Sequence, residues 1–121
     1  MIHQKTDIII IGAGMVGSAA ALSLAKAGFN ITLVEAGETP EWSEDEYGLR
    51  VSAISAASER LLEDIGAWQQ IIRRRASPYE SMHVWDSSGS ACLDFNAADS
   101  GRAYLGYIIE NDLISSCLVE P

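Results

Sequence analysis

The feature that most narrows what this chain can fold into lies in its first 36 residues. Asp7-Ile-Ile-Ile-Ile-Gly12 is a β-branched run that stops at glycine, which predicts a strand buried on both faces, as in a parallel sheet. From Met15 to Ala27 the apolar positions Val16, Ala20, Leu24 and Ala27 recur at helical spacing, and Gly28 supplies a left-handed stop. Asn30-Ile-Thr-Leu-Val-Glu35 is a second β-branched run, so residues 1–36 read as a βαβ unit with a right-handed crossover.

Between the first strand and the helix stands Gly12-Ala13-Gly14-Met15-Val16-Gly17. Gly12 permits the tight turn, Gly14 lets the backbone approach a diphosphate, and Gly17 allows the helix to pack closely on the strand. The helix start presents free N–H groups and a partial positive charge to phosphates. A GxGxxG alone is a weak signal, and a ligand-free glycine turn would look the same. The flanking strand, helix and second strand make dinucleotide binding the better reading. Glu35, next to Ala36, closes the second strand about twenty residues after the glycines, where a carboxylate accepts hydrogen bonds from an adenosine ribose. A 2′-phosphate there would meet repulsion of roughly 1–4 kcal/mol, so the expected nucleotide is FAD or NAD and not NADP.

The rest of the chain sets bounds. A length of 121 residues leaves room for one domain at most, and 48% apolar with 21% charged residues is the profile of a chain with a real core. Eight basic against seventeen acidic residues give a net charge of -9, which repels nucleic acid. Six of the acids fall between Glu35 and Glu46 with no Lys or Arg among them, the pattern of a solvated loop. Cys92 and Cys117 form no CxxC pair and have no histidine at ligand spacing, so two buried free thiols are expected, with no zinc site. No signal peptide and no membrane-spanning run is evident, which together with the thiols suggests the cytoplasm.

Beyond the acidic loop, Arg50 precedes the small-residue stretch Val51-Ser-Ala-Ile-Ser55 and could be held on a rigid element facing a cofactor. Its guanidinium could bridge phosphate oxygens or instead pair with Glu44, Asp45 or Glu46. Ser55 is a cap for a helix bearing Leu61, Leu62 and Ile65, and Gly66 breaks it before Trp68, Ile71 and Ile72. Tyr79–Asp86 and Cys92–Phe95, joined by Ser87-Ser-Gly-Ser90, read as a β-hairpin over residues 79–96. Tyr104–Ile109 reads as a strand, and Asn111 as the cap of a final helix that Pro121 ends. His3 and His83 suit neither a base nor a ligand, and Trp42, Trp68 and Trp85 are too scattered for a stacking platform.

Leu49-Arg50-Val-Ser-Ala-Ile-Ser-Ala-Ala-Ser58 resembles the second signature of the ubiquinone-biosynthesis flavin hydroxylases. Further similarities are Leu61-Leu62 with Gly66-Ala-Trp68, Arg75-Ala-Ser-Pro-Tyr79, Met82-His-Val-Trp-Asp86 and Leu105-Gly-Tyr-Ile-Ile-Glu-Asn111, covering nearly the whole chain. The runs through Arg75 and Val84-Trp85-Asp86 are most similar to the 2-octaprenylphenol hydroxylase branch. The resemblance implies an α/β fold, with a Rossmann-like FAD-binding βαβ unit, helices and a hairpin on the substrate-side sheet. It would be the N-terminal, incomplete part of a larger two-domain flavoprotein hydroxylase.

It further implies an FAD-dependent monooxygenase that uses NAD(P)H and O2 to hydroxylate a polyprenylphenol. Arg50 would lie over FAD, and catalytic residues and contacts with membrane or other quinone-biosynthesis proteins would fall outside these residues. The alternatives are an NAD(H)-binding reductase sharing only Gly12 to Glu35, a truncated non-catalytic product, and a hydroxylase of a soluble aromatic acid. The end of the chain departs from the family pattern, because Ser115-Ser-Cys-Leu-Val-Glu-Pro121 stands where a continuing apolar helix is expected.

Overall fold

A computed structural model describes residues 5–120, so His3 and Pro121 lie outside the described residues. The βαβ unit forms as expected. Strand β1 (Ile8–Ile11) and strand β2 (Ile31–Val34) pair in parallel, with Ile8 opposite Ile31 and Ile11 opposite Val34, and helix α1 (Met15–Lys26) crosses between them. At the open end of the pair the Asp7 carboxylate accepts from the Asn30 backbone N–H and side-chain amide at 2.9 and 2.8 Å. These bonds, the backbone one first, hold the Asp7 carboxyl below its ordinary range.

Gly28 ends α1 at φ +98°. Its N–H reaches the Ala25 carbonyl at 3.0 Å and the Phe29 N–H reaches Leu24 at 3.1 Å, the paired bonds that close a helix through a left-handed residue. Gly28→Ala should cost about 1 kcal/mol, because a Cβ disfavours that conformation, and thermal unfolding would show it as a small drop in Tm.

Two expectations for this unit change. β1 was expected to be buried on both faces, yet it alternates, with Ile11 86% exposed and Ile9 also exposed. Among the described residues β1 has one paired neighbour and helix packing on one side, with nothing over its other face. On α1 the buried residues are Ser18, Ala19 and Ala21, while Val16 is 80% exposed. Small side chains let α1 approach its neighbours, so the packing face is set by size more than by hydrophobicity.

The remaining elements build a second layer. Strand β3 (Val51–Ser55) leads through the Ser55 cap into helix α2 (Ala56–Asp64), and the Ser58 N–H donates to Ser55 Oγ at 3.4 Å. Gly66, at φ +85°, closes α2 before helix α3 (Trp68–Arg74). Strand β4 (Ser77–Tyr79), the hairpin β5 (Ser81–Trp85) and β6 (Cys92–Asn96), a 3-10 turn (Ala97–Ser100), strand β7 (Gly106–Glu110) and helix α4 (Asn111–Val119) follow. β7 is the middle of a three-stranded antiparallel sheet in the order β3, β7, β4. The core gathers around α3, α4 and β7, with Ile71, Ile109 and Leu113 essentially inaccessible and Trp68 set edge-on to Tyr107 at 5.2 Å. No helix among the described residues is long and apolar enough to cross a membrane.

Several details of the second layer differ from expectation. Tyr79 belongs to β4 and pairs with Gly106, so the hairpin proper runs from Ser81 to Asn96. The last strand starts at Gly106 and not at Tyr104, whose hydroxyl donates to Glu59 at 3.2 Å. Asn111 is the first residue of α4 and not its cap. Glu110 holds the cap position without a side-chain cap bond, and Asn111 Oδ1 accepts from Ser52 Oγ at 2.6 Å. The helix does continue through Ser115–Val119, because Ser116 Oγ donates back to the Leu113 carbonyl at 3.0 Å and so remains satisfied when buried. Cys117 is buried as expected, but Cys92 lies exposed on β6.

Candidate nucleotide-binding site

The site forms where β1 hands the chain to α1. Gly12 turns it at φ +100°, a conformation that L side chains rarely adopt. Its N–H still belongs to the sheet, donating to the Val34 carbonyl at 2.7 Å. Gly17 lies directly above: a Cβ added there would sit 3.0 Å from the Gly12 carbonyl carbon and closer still to its oxygen. The close helix–strand approach expected of Gly17 is therefore a geometric fact of this chain. Around Gly14, by contrast, an added Cβ meets nothing within 4 Å.

Gly14 is the N-cap of α1 and offers no side chain to bond the first turn, which contains no acidic residue. The N–H groups of Gly14, Met15, Val16 and Gly17 precede the first intrahelical bond, that from Ser18 N to the Gly14 carbonyl at 2.9 Å. The result is an open turn with unspent donors and the positive end of a helix dipole behind it. An anion of diphosphate size fits this chemistry.

Glu35 stands at the end of β2, as the sequence suggested, and its carboxylate ties the two strand ends together. Oε2 accepts from the Ala13 N–H at 2.6 Å and Oε1 from the Gly37 N–H at 2.8 Å. The Gly37 bond, then the Ala13 bond, hold the Glu35 carboxyl below its ordinary range, so the group stays ionised. An ionised carboxylate has about four acceptor positions, which leaves Glu35 able to accept further donors such as a sugar hydroxyl. Ala36 carries the chain from this carboxylate into the acidic loop. Gly12, Ala13, Gly14, Met15, Val16, Gly17 and Glu35 are thus brought together.

Arg50 immediately precedes β3, with an exposed side chain. Among the described residues only its backbone is engaged, the carbonyl accepting from Asn111 N–H at 3.0 Å. The ion pair with Glu44, Asp45 or Glu46 does not form among the described residues. Arg75 takes up that loop instead, donating Nη1 to the Glu46 carbonyl at 3.1 Å and Nη2 to the Glu44 carbonyl. Arg75 Nη1 also reaches Glu110 Oε2 at 3.0 Å, and its guanidinium stacks over the Tyr47 ring at 4.2 Å.

Glu110 is 5% exposed, and nothing in the sequence singles it out. Burial pushes its carboxyl up, but the Gly48 N–H at 2.6 Å, the Trp42 indole N–H at 3.3 Å and the Arg75 charge outweigh burial and hold it below the ordinary carboxylate range. Because the folded value lies below the unfolded one, this contribution to stability is present above the ordinary glutamate value of 4.5 and is lost as pH falls below it. Unfolding followed between about pH 3 and 6 should show a fall in stability toward acid that Glu110→Gln flattens.

His83 meets Asp94 across the exposed hairpin and packs on Trp85 at 5.4 Å. An apolar groove of about 330 Å3 begins at Met15 and Val16 and runs between α1, α2 and α4 past Ile54 and Leu61. Its lining offers few polar groups, the serines Ser23, Ser52 and Ser58.

Residues 7–88 match the family model described as FAD dependent oxidoreductase. The 3-demethoxyubiquinol 3-hydroxylase of Escherichia coli is 40% identical over 119 residues, covering 98% of this chain and 30% of that protein. A mitochondrial ubiquinone biosynthesis monooxygenase of Danio rerio is 40% identical over 124 residues, covering 98% of the chain and 25% of that protein. The chain therefore spans less than a third of the length of these curated relatives. Among solved structures, a flavoprotein/dehydrogenase of Cytophaga hutchinsonii superposes with a TM-score of 0.67 at 20% identity over 97% of the chain and 27% of that structure, which shows a shared fold. The family match favours FAD over a nicotinamide dinucleotide.

Proposed function

Because the chain belongs to the FAD-dependent oxidoreductase family, we propose that its glycine turn and Glu35 hold the ADP portion of FAD in a monooxygenase that hydroxylates the ring of a polyprenylated phenol or benzoquinol on the route to ubiquinone. The observation that carries this reading is the pairing of an open turn at Gly14 with an ionised carboxylate bonded to the adjoining Ala13 amide.

In this reading the first-turn amides of α1 take the diphosphate, and Glu35 takes the ribose hydroxyls through its remaining acceptor capacity. Arg50 adds a charged fork against the phosphates. FAD, once bound, supplies the redox chemistry, with NAD(P)H as electron donor and O2 as the source of the new hydroxyl. What these residues contribute is binding and orientation. The substrate class is inferred from relatives named for ubiquinone synthesis. Two ring substrates fit it: the polyprenylphenol suggested by the runs through Arg75 and Trp85, and a demethoxyubiquinol like the one for which the Escherichia coli relative is named. The exposed hairpin β5–β6 belongs in this proposal to the substrate-side sheet, and the free thiols Cys92 and Cys117 suit a reducing compartment such as the cytoplasm.

Glu35→Ala removes the ribose acceptor and the brace on Ala13 together. Titrating FAD into the chain while following flavin fluorescence should show affinity reduced by about tenfold or more, corresponding to about 1.4 kcal/mol. Unchanged affinity would remove Glu35 from the site.

A further inference from the structure

The acidic loop is held far more tightly than its composition suggests, and the fastening runs up to Arg50 itself. Arg75 grips the carbonyls of Glu44 and Glu46, Glu110 takes the Gly48 N–H, and the Asn111 N–H takes the Arg50 carbonyl. Within residues 44–50, four backbone groups are anchored to β7, the first residue of α4 and the residue that follows α3. Leu49 and Arg50 remain exposed on this anchored backbone. Gly48 lies against the clamp, its N–H donating to Glu110 Oε1 at 2.6 Å.

We infer that Arg75 and Glu110 form a positioning pair for Arg50, fixing the backbone from which its guanidinium reaches the nucleotide phosphates. This rests on the reading that Arg50 contacts those phosphates. A long flexible side chain gives up much of its binding energy as lost conformational freedom unless the backbone beneath it is already fixed. Arg75 suits the task because a planar guanidinium can bond two carbonyls and a carboxylate while stacking on Tyr47 and Trp42, whose ring centroids lie 4.2 and 5.3 Å away. A lysine in its place would keep the charge opposite Glu110 and lose the fork. The clamp acts through the backbone of residues 44–50 and touches no nucleotide itself.

The test is a double-mutant cycle on the 121-residue chain, with FAD binding read by calorimetry and amide hydrogen exchange read over residues 44–50. Arg75→Lys should weaken FAD by about tenfold when Arg50 is present and by less than about twofold in an Arg50→Ala background, because two residues acting through one contact are not additive. Exchange at residues 44–50 should quicken in both backgrounds. Tyr47→Ala removes the stacking ring from an 80% exposed position without breaking the buried ion pair, and should weaken FAD in the same Arg50-dependent way by about threefold. Equal weakening in both backgrounds, or none, overturns the positioning role. An Arg50→Ala chain that binds FAD as well as the unaltered one sinks the phosphate contact itself, and an unaltered chain that binds no FAD sinks both.

Discussion

A Gly17→Val chain is expected to lose both its βαβ packing and its nucleotide site. The added Cβ would be driven into the Gly12 carbonyl, and because the obstacle is backbone and not the end of a flexible side chain, α1 must lift away from β1. Overpacking of this kind costs about 3 kcal/mol, at the upper end of the usual range, and denaturant unfolding would show it as a lower midpoint. The displaced helix would also carry the first-turn amides away from the Gly12 turn, so FAD affinity should fall below detection. Retention of native stability would mean that the contact between Gly12 and Gly17 is looser than described.

Gly14→Asp is expected to separate stability from binding by moving them in opposite directions. The new side chain enters open space, adopts an ordinary backbone conformation and can accept from the first-turn N–H groups that Gly14 leaves without a cap. Aspartate is among the best N-caps and also complements the helix dipole, so stability should rise by about 0.5–1 kcal/mol. The same carboxylate fills the space that a diphosphate needs and adds like charge to it. FAD affinity should drop by about a hundredfold, equivalent to about 2.7 kcal/mol. A Gly14→Asp chain that is more stable and binds FAD undiminished would show that the phosphates do not rest on this turn.

The parts of the fold legible in the sequence are those specified within short stretches. β1, α1 and β2 could be read because β-branched runs and three glycines at fixed spacing each impose a local conformation, and the helix stops at Gly28 and Gly66 are conformations that glycine readily adopts. Ser55 announced α2 in the same way. The antiparallel sheet was harder to see. Val51–Ser55 is short, with three small residues among its five, and it becomes a strand by pairing with Gly106–Glu110, more than fifty residues away. Ser77–Tyr79 contains a proline and holds an edge position that leaves its missing N–H without cost.

Burial was misjudged where patterning by hydrophobicity gave way to geometry. Val16 and Ile11 look like core residues but face outward, while Ser18 and Ser116 look like surface residues and lie buried with their hydroxyls bonded to backbone carbonyls. The candidate site divides along the same line. Gly12 to Gly17 and Glu35 announce themselves by spacing, whereas Glu110 gains its role from donors on Trp42, Gly48 and Arg75, none closer than thirty-five residues in sequence. A carboxylate of that kind has no signature, because nothing beside it in the chain hints at what will surround it.

A diphosphate resting on the opening amides of α1 beside Glu35 should be visible in the amide chemical shifts of the 15N-labelled chain titrated with ADP. The largest displacements are expected at Gly14, Met15, Val16 and Gly17, with a further change at Glu35 and Ala36, and they should vanish in the Gly14→Asp chain. Shifts confined to other segments, with the Gly14 to Gly17 amides unmoved at saturating ADP, would contradict it.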